Sequence, residues 1–279
     1  MFHFVFKMFS EGAATLPAKG MQAVSDQLAD KCQNKGVEIR CKHAVHEIQP
    51  SNDGSFLVEY NSNNEQKKIR TKSIILATDG NVATKLIKQI DEFTSVGALP
   101  QPPQRRVACR YYGFPGTAPI TDPILILNGE RVTEDYDLKS NPVNNICFPS
   151  VLSSEYAPES HSLCSVTILS EAMKLYENDD AGLDKAVRQQ LSKWFPFYEA
   201  DILDSNRWKT LGSYKIDNAQ PGQLDGPWAA KVHGGRDCSK YRGKSLPKGF
   251  FVCGDHMATA TLNGAMESGV NAGKAAAGV

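Results

Sequence analysis

"FFVCGDHMATATLNGAMESG", residues 250–269, is the stretch that decides the fold of this chain. An apolar run stops at Gly254 and Asp255, a few small polar residues follow, and a segment rich in Gly and Ala then begins. Aromatic and β-branched residues that end in Gly predict a buried strand, and small residues let a following helix pack closely on a bulky group. The stretch therefore predicts a ligand site at a strand-to-helix junction.

The amide groups at the start of that helix favour a phosphate or an electron-rich ring edge, because they point outward and are not used within the helix. Asp255, at the tip of the strand, is placed to accept hydrogen bonds from sugar-like hydroxyl groups. The alternative is that Asp255 and Asn263 only cap the helix. The local pattern leaves both interpretations open.

The amino-acid composition of the chain narrows the range of functions to consider. The chain has 279 residues, of which 41% are hydrophobic and 22% charged, enough for one large domain or two small ones. Thirty-one basic residues balance thirty-one acidic ones, so no global field favours nucleic acid or an anionic membrane. No apolar run approaches the roughly 18 residues that a transmembrane helix needs, and the N-terminal "MFHFVFKMFS" lacks the pattern of a signal peptide. We expect neither nucleic-acid binding nor a transmembrane segment.

The seven cysteines are odd in number and scattered along the chain. This usage favours free thiols in a reducing compartment, such as the cytoplasm or the plastid stroma, over a disulfide framework. Cys253, inside the last apolar run, is expected to be a small core residue.

Periodicity predicts strands and helices in alternation through the first hundred residues. The predicted strands are residues 2–9, 37–41, 43–48, 56–60, 67–71 and 73–77, and the predicted helices are 21–33 and 81–90. Met21, Val24, Leu28 and Cys32 form the apolar stripe of the first helix. The continuous apolar run "SIILATDG" is typical of a strand covered on both faces.

The composition changes near residues 97–104, where prolines indicate a linker. Strands are then predicted at 106–114, 124–128, 145–149, 163–169 and 208–216, with a helix at 182–195. Leu183, Val187, Leu191 and Trp194 place one apolar stripe on that helix. The region reads as a separate sheet with helices.

Residues 249–277, "GFFVCGDHMATATLNGAMESGVNAGKAAA", resemble the closing flavin motif of the FAD-dependent amine oxidase superfamily, which includes protoporphyrinogen oxidases and relatives of phytoene desaturase and carotenoid isomerase. The resemblance implies FAD as cofactor, with the acidic residue near the ribityl and phosphate region and the helix start at the pyrimidine edge of the flavin ring. The flavin-binding residues that it implies are Gly254, Asp255, Leu262, Asn263 and Ala265.

Three further stretches are similar to that family in the same order. "LPAKGMQAVSDQLA" resembles the segment that returns the chain from the substrate domain to the flavin domain. "VEIRCKHAVHEI" resembles the strand pair whose valine main chain meets the adenine, here Val45. "SIILATDG" resembles the strand whose end lies near the dinucleotide, here Ala77 and Thr78.

One departure from the family is large. The family opens with a strand, G-x-G-x-x-G and a helix, where glycines let main-chain amides approach the pyrophosphate. No two glycines of this chain are spaced two apart, so the motif is absent. The chain then corresponds to a truncated form, one half of a split protein, or a degenerate paralogue. A partner chain or a missing N-terminal half would supply the dinucleotide-binding unit.

The expected fold class is α/β with mixed elements: an incomplete FAD/NAD(P)-binding Rossmann-like domain and a substrate domain built on a mixed or antiparallel sheet with helices. The resemblance assigns residues 1–100 and 205–279 to the remnant of the FAD-binding domain and 101–204 to the substrate-binding domain.

Several side chains carry a functional and a plain structural interpretation. Cys41, His43 and His46 offer metal-binding atoms, but on a regular strand 43 and 46 face opposite sides, so we assign no metal site. His256, next to Gly254 and Asp255, is either an acid or base near the flavin, or a solvent-facing or satisfied histidine. By the resemblance, Trp208 and Tyr214 line the substrate cavity, and ordinary core packing is the alternative.

The resemblance implies an FAD-dependent oxidoreductase of the amine oxidase or phytoene desaturase type, in which hydride passes from an apolar small molecule to the flavin. No catalytic side chain is assigned, because the cofactor carries the chemistry. The alternatives are a flavin-dependent polyene isomerase, as in carotenoid isomerisation, and a catalytically silent binding or assembly subunit.

Overall fold

A computed structural model describes residues 10, 12, 15–90, 104–132, 135–222, 237–241 and 244–278. The chain divides into two compact units: the first unit contains the residues up to Ile39 and Arg106–Asp217, and the second unit contains Arg40–Arg105 and Asn218–Val279. This division groups the residues before Arg40 with the middle of the chain, unlike the domain boundaries expected above. The predicted strand at 2–9 lies outside the described residues, as does the proline-rich linker except residue 104.

The described helices and strands follow one another in a mixed order. The helices are α1 (Gln22–Gln33), α2 (Gly80–Ile87), α3 (Pro149–Leu152), α4 (Ser170–Leu175), α5 (Asp180–Trp194), α6 (Glu199–Leu203) and α7 (Leu262–Ala277). The strands are β1 (His43–Pro50), β2 (Phe56–Ser62), β3 (Glu65–Thr71), β4 (Ile74–Leu76), β5 (Gln104–Pro115), β6 (Ile126–Leu127), β7 (Val143–Cys147), β8 (His161–Leu169), β9 (Lys209–Pro221), β10 (Lys240–Tyr241), β11 (Lys244–Ser245) and β12 (Phe250–Val252). Short 3-10 helices lie at Gly129–Val132, Ser154–Tyr156, Pro196–Tyr198 and Asp255–Met257.

The first unit is built on a five-stranded sheet in the order β6-β7-β8-β5-β9, with antiparallel pairing from β6 through β5. Side chains alternate across a strand, so Ala108, Tyr112 and Phe114 of β5 face one side and are buried. The apolar stripe of α5 belongs to the same core cluster. The strands and the helix predicted for this region are confirmed, although β6 has only two residues.

A buried ionic network joins β5 to α5 in the first unit. The Asp184 carboxylate accepts hydrogen bonds from Arg188 Nε (2.6 Å), the Tyr112 hydroxyl (2.8 Å) and Arg110 Nη1 (3.2 Å). Arg188 Nη2 also donates to the main-chain oxygen of Trp208 at 2.8 Å. Burial acts to raise the pKa of Asp184, but the hydrogen bonds from Arg188 and Tyr112 outweigh burial and hold that pKa below its ordinary value.

The second unit contains an antiparallel sheet, β1-β2-β3, and a separate parallel pair of β4 and β12. Asn63 and Asn64 close the predicted hairpin of β2 and β3 with positive φ angles of 52° and 62°, which suits a tight two-residue turn. Its core cluster includes Ile48, Ile87 of α2, and the rings of Phe56 and Phe250, whose centroids lie 5.6 Å apart. The predicted hairpin, the final strand and the final helix are confirmed.

Three expectations about coverage and pairing are wrong. Residues 37–40 form no strand, and Val37 and Ile39 are exposed. The helix α1 forms as predicted, yet none of its side chains is buried in the described part of the chain. Ile75 of β4 is exposed, so the described residues do not cover that strand on both faces. Periodicity sets the geometry of an element, whereas its coverage and pairing depend on distant residues.

Candidate functional site

The ends of β4 and β12 meet at one edge of the parallel pair. The amide of Cys253 donates to the carbonyl oxygen of Leu76 at 2.9 Å, which continues the strand pairing to the tip. A Cβ placed on Gly254 would lie 3.3 Å from the carbonyl oxygen of Thr78. Ligands of parallel sheets bind outside the carboxyl ends of the strands. We call these ends, residues 77–79 and 254–256, together with the start of α7, the strand-tip site.

Gly254 has a backbone conformation that its position requires. Its φ is +144°, and an added Cβ would lie 2.7 Å from the His256 ring, so a side chain here is strained and also collides. The His256 ring is largely buried and also packs against Gly80 at the start of α2. The amide of Gly254 donates to Ser268 Oγ at 3.1 Å, which ties the strand tip to α7.

Two carboxylates lie at the strand-tip site. Asp79 Oδ1 accepts hydrogen bonds from the amides of Asn81 (2.9 Å) and Val82 (3.1 Å), so it caps α2 and uses that helix start internally. Burial raises the pKa of Asp255, and the nearby charge of Asp79 raises it further, although main-chain hydrogen bonds act in the opposite direction. Two carboxylates repel an anion, and Asp255 remains available to accept hydrogen bonds from hydroxyl groups.

A tight turn at Thr259–Thr261 precedes α7 and packs against its first residues. Thr261 Oγ1 accepts a hydrogen bond from the amide of Gly264 at 3.0 Å and is the N-cap, so the alternative that Asp255 and Asn263 cap this helix is wrong. A Cβ on Gly264 would lie 2.1 Å from the carbonyl oxygen of Thr259, so only glycine allows the turn to lie on the helix. The amides of Leu262 and Asn263 belong to the first turn, whose N–H groups have no partner within the helix.

Seven of the eight predicted cofactor residues lie on the elements of the strand-tip site. Ala77, Thr78, Gly254 and Asp255 follow the paired strands, and Leu262, Asn263 and Ala265 lie in the first turns of α7, which contacts Gly254 through Ser268. Val45 lies in β1, in the antiparallel sheet, opposite Tyr60, and its side chain is exposed. The binding role of each of these residues stays a prediction. Sequence reasoning missed Asp79, whose position one residue after "LAT" and before Gly80 is a helix-cap signal.

The two predicted substrate residues have opposite environments in the first unit. Trp208 is 1% exposed and its ring stacks on Phe114, with centroids 4.1 Å apart and planes 7° from parallel. It therefore occupies the core, as the alternative interpretation held. Tyr214, on β9, is 57% exposed and meets Tyr111 edge to face at 6.0 Å. Their roles toward a substrate stay predictions.

The outward face of the five-stranded sheet carries half-buried groups that sequence reasoning missed. Cys109, Tyr111, Cys147 and Ser165 lie on it, with Cys109 Sγ 3.5 Å from Ser165 Oγ. Hydrogen bonding with Cys109 and burial raise the pKa of Tyr111 to about 12, and burial raises the pKa of Cys147. The alternation in "RVACRYYGF" separates Cys109 and Tyr111 from the core residues and was the available signal.

The cysteines are free. Cys164, Cys238 and Cys253 are buried, whereas Cys32 and Cys41 are exposed. Cys253 packs in a small cluster with Ala272, which confirms its prediction as a core residue. In the described part of the chain, no helix combines the length and the apolar character that a membrane crossing requires.

Comparison with known proteins gives a family match over nearly the whole chain. The sequence model of the flavin containing amine oxidoreductase family matches residues 1–278. No curated protein sequence is significantly similar to the chain.

Solved structures share the fold at low sequence identity. A protein from Exiguobacterium sp. 255-15, provisionally designated a protoporphyrinogen oxidase, is 13% identical with a TM-score of 0.62, over 93% of this chain and 51% of that one. An oxidoreductase from Methanosarcina mazei is 12% identical with a TM-score of 0.58, over 91% and 54%. A putrescine oxidase bound to putrescine is 13% identical with a TM-score of 0.57, over 92% and 53%. The chain spans about half the length of each.

Proposed function

Because the chain belongs to the flavin containing amine oxidoreductase family, we propose that it takes part in an FAD-dependent oxidation of an apolar small molecule. The observation that carries this proposal is the strand-tip site, where two parallel strand ends and a helix start meet around glycines that leave no room for side chains. The membership in the family makes a flavin the cofactor to test first.

The residues of the strand-tip site fit the ring and ribityl parts of a flavin better than its phosphates. The helix amides at Leu262 and Asn263, next to Ala265, suit an electron-rich ring edge. The Asp255 carboxylate suits the ribityl hydroxyls, and Asp79 beside it disfavours phosphate. When bound, the flavin accepts a hydride, and the protein contributes binding, orientation and exclusion of water. Ala77, Thr78 and Val45 are proposed to hold the rest of the dinucleotide.

A substrate of apolar character is supported by the outward face of the five-stranded sheet. Tyr111 and Cys147 are uncharged at neutral pH, and their raised pKa values widen the pH range in which they stay so. The face therefore offers neutral, weakly polar groups and an aromatic pair with Tyr214. Cavities for small molecules are mostly apolar, with few polar groups. We propose this face as one wall of the substrate site.

The pyrophosphate contacts are proposed to come from another polypeptide segment. The chain has no G-x-G-x-x-G, and Asp79 occupies the start of α2 that a phosphate would otherwise use. A partner chain or an N-terminal half carrying that motif would complete the site. A catalytically silent binding subunit is the second candidate function, and the absent motif is the observation that favours it.

The first experiment is an absorbance spectrum of the purified chain before and after addition of FAD, with gel filtration and thermal melting. Flavin bands that stay with the protein and a raised Tm are expected if the strand-tip site holds the cofactor, because a ligand that binds only the folded state stabilises it. Free flavin that elutes apart from the protein, together with an unchanged Tm, would rule out independent cofactor binding. Either the silent subunit or a chain that needs the phosphate-binding segment would then remain.

Matched variants locate the binding. Asp255→Asn removes the carboxylate without changing its shape and is expected to weaken FAD retention at least about tenfold, as loss of a charged hydrogen bond does. Gly269→Ala lies on the same helix, where an added Cβ meets nothing within 4 Å, and should retain flavin fully. Equal retention in both variants would place the flavin elsewhere. Product analysis for a change in oxidation level then separates oxidation from polyene isomerisation.

A further inference from the structure

We propose that His46, Glu47 and Glu59 of the second unit form a binding site for a divalent first-row metal ion. The three side chains lie on the neighbouring strands β1 and β2, and one ligand atom from each lies within 4.8 Å of the others. One imidazole nitrogen and two carboxylates leave coordination positions open for water. This site is independent of the strand-tip site and of the proposed flavin chemistry.

A β-bulge creates the cluster. The pairing of β1 with β2 passes from Val45 opposite Tyr60 directly to Glu47 opposite Glu59, so His46 is an extra residue in the strand. Adjacent side chains on a regular strand face opposite sides, whereas a bulge sets two residues against one. His46 and Glu47 therefore both come close to Glu59. Strand alternation alone conceals this arrangement, which explains why the sequence predicted no metal site.

Glu59 is buried, and neighbouring side chains hold its carboxylate in place. It is 4% exposed, and its carboxylate accepts hydrogen bonds from Lys68 Nζ and from Gln66 Nε2 at 2.8 Å. A carboxylate that neighbouring side chains hold in place is oriented as metal-ligating carboxylates usually are.

Glutamine amides position the cluster. Metal ligands are usually oriented by outer hydrogen bonds, and loss of such bonds weakens metal binding about 10–100-fold. Here one glutamine holds each ligand residue: Gln66 bonds to Glu59, Gln49 Nε2 donates to Glu47 Oε1 at 2.6 Å, and Gln89 Nε2 donates to the carbonyl oxygen of His46 at 2.9 Å.

The types of ligand atom indicate which metals the site suits, and the side chain of Lys68 competes with a metal ion for Glu59. Imidazole suits zinc and iron, and carboxylates suit manganese, so a mixed nitrogen and oxygen site fits Mn²⁺, Fe²⁺ or Zn²⁺. Lys68 contacts Glu59 from β3 and opposes a second positive charge by Coulomb repulsion. The Lys68 side chain is 56% exposed, so it has solvent into which it can turn when a metal binds.

The test is a titration of the chelator-treated full chain with Mn²⁺ alone. The loss of the paramagnetic resonance signal of free Mn²⁺ measures how much of the ion is bound. Mn²⁺ is the probe because the chain's seven cysteines would compete for Zn²⁺. We expect one saturable site. His46→Gln should weaken binding at least about tenfold, by analogy with loss of an orienting partner. Lys68→Met should strengthen it severalfold, because a competing charge is removed.

His43→Gln is the matched control. His43 lies on the same strand, but its ring stacks on Tyr60 at 5.2 Å and its Nδ1 lies 2.8 Å from the carbonyl oxygen of Cys41, outside the cluster. It should bind Mn²⁺ like the unchanged chain. Circular dichroism confirms that each variant is folded. Absence of saturable binding, or equal binding by the folded His46→Gln and His43→Gln variants, would overturn the proposal.

Discussion

The two units differ in how fully their own residues cover their sheets. In the first unit, one face of a five-stranded sheet is sealed by α5, and charged side chains are paired inside it. In the second unit, the parallel pair β4 and β12 leaves Ile75 exposed, and Leu262, Met266 and Val270 form an exposed apolar stripe on α7. Parallel strands are normally covered on both faces.

This difference suggests that the first unit contributes most of the stability of the chain and the second unit contributes the ligand binding. The first unit contains the largest core cluster and the ionic network, so it has its own source of stability. The second unit carries the strand-tip site, whose shape depends on glycines and on a two-stranded pair in which Ile75 is exposed. We infer that losses of stability concentrate in the first unit and losses of ligand binding in the second.

The largest expected effect is in the first core. Trp208→Ala should lower the free energy of unfolding by about 3–5 kcal/mol, because a fully buried ring that stacks on Phe114 leaves a cavity. Tyr214→Ala, at an exposed position on β9, should cost about 1 kcal/mol or less. Urea denaturation followed by circular dichroism measures both. Similar losses for the two variants would remove the distinction between core and surface that places Trp208 in the core.

The next effect tests the buried ionic network. Asp184→Asn should lower the free energy of unfolding by about 3 kcal/mol, because Arg110 and Arg188 lose a buried counter-charge. Asp201→Asn provides the control, since its partner Arg207 is exposed and such pairs contribute about 0–1 kcal/mol. Denaturation curves at neutral pH compare them. A loss no greater than that of the control would show that the network does not stabilise the first unit.

The same network gives the stability of the first unit a pH dependence. The pKa of Asp184 is lower in the folded chain than in the unfolded chain, so its contribution is full above the ordinary aspartate pKa and is lost as pH falls through the folded value. The unchanged chain should therefore lose more stability on acidification than Asp184→Asn. Parallel slopes in acid for the two proteins would contradict this assignment.

A smaller effect is expected in the second unit. Gly264→Ala should cost about 1–3 kcal/mol, because the added Cβ collides with the main chain at Thr259. Gly269→Ala, on the same helix with open space around it, should stabilise the chain by up to about 1 kcal/mol through helix propensity. Thermal melting distinguishes the two signs. If both variants were stabilising, the tight turn before α7 would not exist in solution.

The smallest effect belongs to the exposed stripe of α7. Met266→Lys should change the free energy of unfolding of the isolated chain by no more than about 0.5 kcal/mol, as exposed substitutions do. Ala272→Lys, at a buried position on the opposite face of α7, should be far more destabilising. A large loss for Met266→Lys would mean that this stripe is covered when the chain is folded alone.

Much of the fold could be predicted from periodicity. The alternation of β5 and the stripe of α5 fix their buried faces, and the Gly-Asp junction at residue 254 fixes the strand-to-helix turn. Coverage could not be predicted this way. The apolar run of β4 and the stripe of α1 both imply full burial. In the described part of the chain, however, Ile75 of β4 is exposed and no residue of α1 is buried, because burial depends on residues far away in sequence.

The candidate sites also differ in whether local sequence patterns could predict them. Residues 254–265 were predictable because a single continuous segment contains the strand tip, the turn and the helix start. The cluster of His46, Glu47 and Glu59 was not, since it depends on a bulge. The sequence signals Asp79 as a helix cap, but not the parallel pairing that brings it near Asp255. Local patterns report neither strand partners nor register shifts.

Asp79 also sets how the strand-tip site should respond to ionic strength. Because this carboxylate occupies the start of α2, the site holds no free helix start on that side with which to attract an anion. Contacts to hydroxyl groups and a ring edge are short-ranged and little screened by dissolved ions, whereas phosphate contacts weaken steeply as salt is added. Flavin held by this chain alone should therefore stay bound as salt rises, and a steep salt dependence would emerge only once a phosphate-binding segment joins it.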